Sequence, residues 1–148
     1  MEGMMEYKSF KKDFVKRTIM IIESASNCQY EVTLLVNCLM GLVGLPTEKT
    51  SQTDAKFIQT CVTELHRIHA VTKDSGDDQK TFRALRNAVA HMRISMSNEG
   101  GKIDSIQFCD TASKAANSHT ELSFTVQQLK DYALFVANAY LKRFGKED

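Results

Sequence analysis

Five stretches of the chain carry apolar residues at helical spacing, and two short ones alternate. Phe10, Phe14, Ile19, Ile21 and Ile22 step along the first, interleaved with Lys11, Lys12, Lys16 and Arg17. Residues 10 to about 25 thus predict a surface helix with a basic outer face, after a frayed start over residues 1–8 and before a break at Ser26 and Asn27. Tyr30 to Val43 is apolar almost all round, which predicts a central buried helix stopped by Gly44-Leu45-Pro46. After a polar loop from Thr47 to Thr53, Asp54 is placed to cap a third helix whose core stripe is Phe57, Ile58, Cys61, Val62, Leu65 and Ile68. Phe82, Leu85, Val89, Met92 and Met96 form the stripe of a fourth, capped by Asp77 or Asp78 and stopping near Asn98 to Gly101. Ile103, Ile106 and Phe108, then Leu122 and Phe124, predict two short strands joined by a long mobile tip from Asp110 to His119. Thr125 to Gln128 matches a capping box, followed by a last helix with Val126, Leu129, Phe135, Val136, Ala139 and Tyr140 apolar and Gly145 at its stop. The expected fold is all-α: one domain over residues 1–148, a bundle of about five helices with a small β-hairpin before the last.

Composition narrows the function classes. The 43% apolar and 25% charged fractions are those of a globular domain. A net charge of +1 gives no global field for nucleic acid, so any RNA binding must come from a local patch. Cys28, Cys38, Cys61 and Cys109 form no close pair and no metal-like spacing; they read as reduced thiols of a cytoplasmic protein. Met1 to Tyr7 has no apolar run of the signal-peptide kind, and Glu31 and Asn37 interrupt the second helix, so no membrane segment is expected. His66 and His69 sit three apart but lack further ligands, so neither a metal nor another cofactor is expected.

The fourth helix carries the candidate chemistry. Asn87 and His91 are four apart, hence neighbours on one face, nearly opposite the apolar stripe. Arg86 lies at the edge of the stripe, roughly 140° around the helix from His91 at about 100° per residue. No Lys or Glu occurs between Ala84 and His91, and Ala84, Ala88 and Ala90 suggest a bare face that a second body approaches closely.

Arg86-Asn87-Ala88-Val89-Ala90-His91 resembles the HEPN superfamily signature, an Arg and a polar residue followed after a short spacer by His. The resemblance extends to the apolar second helix with its Leu-Pro stop, Tyr30 to Pro46, and to the hairpin and closing helix of the last third. It implies an all-α bundle and a metal-independent endoribonuclease, with Arg86, Asn87 and His91 catalytic and Arg83 and Arg93 binding substrate. Many HEPN domains also place an acidic residue on the second helix; Glu31 is the candidate, or it simply favours the positive helix end. Asn37 either bonds a neighbouring helix or faces the active groove.

RNA is cut when its 2′-hydroxyl attacks the adjacent phosphorus. Histidine suits the proton transfers, because its ordinary pKa is about 6.5. Arginine suits the phosphoryl charge, because its planar fork grips phosphate. One His and one Arg are thin for two proton transfers, so a homodimer pairing two helices across a two-fold axis is expected. A toxin or defence effector restrained by a protein antitoxin or regulator fits the resemblance. The alternatives are a non-catalytic HEPN domain that binds RNA or nucleotides, and a dimerising interaction module.

Overall fold

The computed structural model describes residues 10–24, 31–44, 54–73, 77–100, 102–109 and 120–144. Within them run α1 (Phe10–Glu23), α2 (Glu31–Gly44), α3 (Ala55–Arg67), β1 (Val71–Lys73), α4 (Asp78–Ala90), β2 (Ile94–Glu99), β3 (Lys102–Cys109), β4 (Glu121–Thr125) and α5 (Val126–Phe144). The expected frayed start, the break at Ser26 and Asn27, the Leu45-Pro46 stop, the 47–53 loop, the 110–119 tip and the Gly145 stop lie outside the described residues.

Helix α5 is the longest, and α1, α2 and α3 all pack against it. Its inward row is Leu129, Tyr132, Ala133, Val136, Ala137 and Tyr140, all buried. The Tyr132 hydroxyl donates a 3.0 Å hydrogen bond to the Cys61 carbonyl, which satisfies a polar group deep in the core. Phe57 closes the other end of the α3–α5 contact, edge-on to Phe82 and Tyr140 at 6.4 and 6.1 Å between ring centres. Helices α1 and α2 approach closely where Gly41 meets the Phe14 ring; a Cβ at Gly41 would lie 2.8 Å from Phe14 Cζ.

The β structure exceeds the single hairpin that the apolar pattern predicts. Four antiparallel strands form one sheet in the order β1-β4-β3-β2. Ile106, Phe108, Leu122 and Phe124 face the helices and are buried, with the Phe124 ring 5.7 Å from that of Tyr132. Ser95, Gln107 and Ser123 are cross-strand partners on the other face. The Gln107 amide there donates to Ser105 Oγ at 2.6 Å; Ser95 is exposed, and Gln107 and Ser123 are half-buried.

Helix α4 stops eight residues short of Asn98, and its end explains the fourth strand. Met92 adopts a left-handed conformation, φ 55°. Arg93 N–H donates to the Ala88 carbonyl at 2.8 Å and Met92 N–H to Val89 at 3.3 Å, the paired bonds of a Schellman stop. The chain then leaves as β2, where Ile94-Ser95-Met96-Ser97 alternates with period two. Met92 and Met96 are 67% and 45% exposed, so their helical spacing from Val89 is coincidental. Helix α3 ends in the same way on His69, φ 59°, and β1 follows directly. Helix α2 is also less buried than its composition predicts: Thr33, Asn37 and Met40 form an exposed stripe.

Strand β4 passes into α5 without a linker. Gln128 N–H donates to Thr125 Oγ1 and Thr125 N–H to Gln128 Oε1, both at 3.0 Å, so the capping box is reciprocal. Thr125→Ala should lower stability by about 0.5–2 kcal/mol, read as a lower urea midpoint with an unchanged slope.

Candidate functional site

Asp77 starts α4 by accepting hydrogen bonds at Oδ1 from the N–H groups of Gln79 and Lys80, at 2.8 and 3.2 Å. The helix then turns Thr81, Phe82, Ala84, Leu85, Ala88 and Val89 into the protein interior. Lys80, Arg83, Ala90 and His91 are exposed, and Arg86 and Asn87 are half-buried. Lys80, Arg83 and Asn87, with His91 at the end, therefore form one outward row at three- and four-residue steps. The carboxylates of Asp77 and Asp78 are confined to the start of the helix, so the rest of the row is cationic or neutral.

The bare alanine face of the sequence argument does not exist as such. Ala84 and Ala88 are 2% and 0% exposed, and both are covered by the protomer's own core. Only Ala90 of the three is available to a second body.

His91 caps the C-terminal end of α4, and its N–H donates to the Asn87 carbonyl at 2.9 Å. Asn87 thus fixes the histidine backbone one turn later, while its side chain stays half-buried. Arg86 sits about 7.5 Å back along the axis and around the helix from His91. Its Nε is buried and has no hydrogen-bond partner among the described residues. An unsatisfied donor of this kind costs about 1–3 kcal/mol, and an incoming phosphate oxygen would satisfy it. Arg86→Met should accordingly leave thermal stability equal or higher, while weakening the binding of RNA; a melting scan and a filter-binding assay read the two effects separately.

The remaining predicted residues are dispersed. Arg93 lies beyond the left-handed turn and leaves the helix altogether. It lines a groove of about 470 Å³ on the outer side of the sheet, with Thr72, Met92, Ser95, Gln107, Cys109 and Glu121 around it. Glu31 starts α2 and is half-buried; Asn37 is exposed, so it needs no buried partner. Neither is hydrogen-bonded to an α4 side chain among the described residues. The sheet groove is the feature that sequence reasoning missed. Its signal was present in the alternation of Ile94-Ser95-Met96-Ser97.

The thiols behave as packing groups. Cys38 and Cys61 are buried and free; burial pushes the Cys38 thiol up and the Cys61 thiol up to about 12. Cys28 lies outside the described residues. His66 and His69 are exposed at the end of α3, and no group of three or more metal-ligating side chains occurs among the described residues. No described helix is long and apolar enough to cross a membrane.

Comparison with known proteins agrees with the motif. Residues 4–147 match the family model described as HEPN pEK499 p136. Neither the curated proteins nor the solved structures gave a match. The match runs over nearly the whole chain and takes in α4 with its Arg86-Asn87 pair and His91, so the chain belongs to the HEPN pEK499 p136 family.

Proposed function

We propose that this domain is a metal-independent endoribonuclease that cuts RNA by attack of the substrate's own 2′-hydroxyl. The observation that supports this most is the state of Arg86: a buried guanidinium nitrogen with no hydrogen-bond partner among the described residues, about 1.4 helical turns before an exposed histidine. A structural arginine normally satisfies its fork with a carboxylate, as Arg67 does with both oxygens of Glu64 at 2.8 and 2.6 Å, which holds that carboxyl below its ordinary range. Arg86 Nε has no such partner among the described residues, and phosphate is a ligand that a guanidinium suits.

In this proposal Arg86 stabilises charge on the phosphoryl oxygens, and Arg83 and Lys80 hold the flanking phosphates along the exposed row. His91 takes the 2′-hydroxyl proton or gives one to the leaving 5′-oxygen. Each protomer brings one imidazole, so a second copy completes the pair of proton transfers. The contact involves the outward row around Asn87, Ala90 and His91, since Ala88 is inside. A nuclease of this sort requires restraint in the cell, which is where a protein antitoxin would act.

The test is incubation of purified protein with a mixed RNA pool in the presence of EDTA. Cleavage should persist and leave 2′,3′-cyclic phosphate ends, and a 2′-deoxy substitution at the cut position should make a substrate inert. Intact RNA, or cutting that EDTA stops, would overturn the proposal. RNA affinity without cleavage would favour a binding domain.

A further inference from the structure

From the open edge of β2 we infer that two copies of this chain join by antiparallel pairing of β2 with itself, centred on Met96. The sheet order β1-β4-β3-β2 leaves two edges, and they are unlike. Strand β1 is three residues long, pairs irregularly with β4 and ends on exposed Lys73. These are usual devices for keeping an edge from pairing further. Strand β2 is six residues long and has none of them. Ile94-Ser95-Met96-Ser97-Asn98 holds neither charge nor proline, and the irregularity at Ser97 and Asn98 is an extra residue in β3, Asp104, rather than one in β2. Among the described residues no strand pairs with the outer side of β2.

The phase of the ladder fixes which backbone groups that edge offers. Cys109 N–H donates to the Arg93 carbonyl at 3.1 Å, so residue 93 is turned towards β3, and Ser95 and Ser97 follow it at steps of two. The N–H and C=O groups of Ile94, Met96 and Asn98 therefore point outward. A second β2 brought up by a two-fold axis pairs through residues that point outward in both copies. An axis at Met96 sets Met96 against its own counterpart and Ile94 against Asn98, and all three are of that kind. Each such pair exchanges both backbone hydrogen bonds.

The sequence is close to a palindrome about the same centre. Ser95 meets Ser97 of the other copy in the closer, non-hydrogen-bonded type of pair, where two hydroxyls can bond one another. Arg93 stands opposite Glu99, so no like charges meet; Arg93 already has an interaction in its own protomer, and the pairing asks nothing more of it. An axis at Ser97 would instead set Ser95 against Glu99 and Met96 against Asn98. Within the protomer Met96 pairs with Ile106, so its side chain lies on the helix side of the sheet, 45% exposed. Across the axis it covers its counterpart, a contact to which a flexible thioether chain adapts. Ser95 and Ser97, also exposed, lie on the opposite face. A two-fold normal to the sheet leaves both copies of α4 on one side of it, where the proposed nuclease needs its second histidine. The strand pairing itself depends on no nuclease activity.

Cross-linking tests the register, and sedimentation equilibrium tests the joint. Met96→Cys places two thiols on Cα atoms about 5.5 Å apart, within the span of a disulfide. Ser97→Cys leaves its two copies about 8 Å apart, two residues along and one strand across, which is too far. Under mild oxidation, with disulfides located by peptide mapping, Met96→Cys should link to itself at least tenfold faster than Ser97→Cys does. A mixture of Ser95→Cys and Ser97→Cys proteins should link residue 95 to residue 97. Met96→Pro removes an outward N–H that β3 does not use, so circular dichroism should be unchanged while the dimer dissociation constant rises tenfold or more. Met96→Lys sets two like charges at the axis and should weaken the dimer as much; it and the cross-links decide the matter should the proline variant fail to fold. A wild-type protein that stays monomeric up to millimolar concentration, self-linking of Ser97→Cys as fast as that of Met96→Cys, or a dimer that Met96→Lys leaves intact would overturn the inference. Its fate separates from that of the nuclease proposal. A dimer broken by Ala90→Glu but indifferent to Met96→Lys removes only the strand joint, and self-linking at residue 96 in a protein that leaves RNA intact removes only the nuclease.

Discussion

His91→Ala should reduce RNA cleavage by about 10²- to 10⁴-fold, the usual contribution of one positioned proton-transfer group. The fold should be almost untouched. His91 is exposed at the helix cap, and its structural bond runs through the backbone N–H to Asn87, which alanine preserves. A surface substitution of this type falls within about 0.5 kcal/mol. Loss of activity with an unchanged melting curve therefore separates chemistry from packing. A His91→Ala protein that cuts RNA at the wild-type rate would place the proton-transfer group elsewhere. The exposed His66 and His69 at the end of α3 would then be the next to substitute.

The helices and the motif were legible in the sequence for different reasons. The α3 stripe from Phe57 to Leu65, the Asp54 and Asp77 caps and the Thr125–Gln128 box are local features. Each is satisfied within three or four residues, and each is present with the expected partners. The end of α4 was not legible, because its stop uses Met92 in a left-handed conformation where a glycine would have signalled the turn. With the stop unseen, Met92 and Met96 passed for helical positions and β2 stayed hidden inside them. Strand β1 was hidden by its length, three residues that gain their partners only from β4. The same misplaced end moved Arg93 from the helix row to the sheet groove, so part of the candidate site was assigned to the wrong surface.

Burial also reverses the meaning of the alanines, and Ala88→Glu shows how far. On the sequence alone, that substitution separates two subunits. With Ala88 0% exposed beside Leu85 and Val89, the added carboxylate enters a packed interior with no room and no partner. The expected loss exceeds about 4 kcal/mol, against a total of roughly 5–15 kcal/mol for a natural domain. The protein should be largely unfolded or insoluble, whatever its oligomeric state. Ala90→Glu is the proper partner experiment, since Ala90 is exposed on the row of Asn87 and His91. It should change stability by only about 0.5 kcal/mol or less, an acidic side chain at the negative helix end being mildly unfavourable. If two copies meet across this row, Ala90→Glu should yield a folded monomer with cleavage lost, by light scattering and RNA assay together. A folded, soluble Ala88→Glu protein would mean that α4 does not pack as described. A wild-type protein that is already monomeric and still cuts RNA would remove the need for a second imidazole.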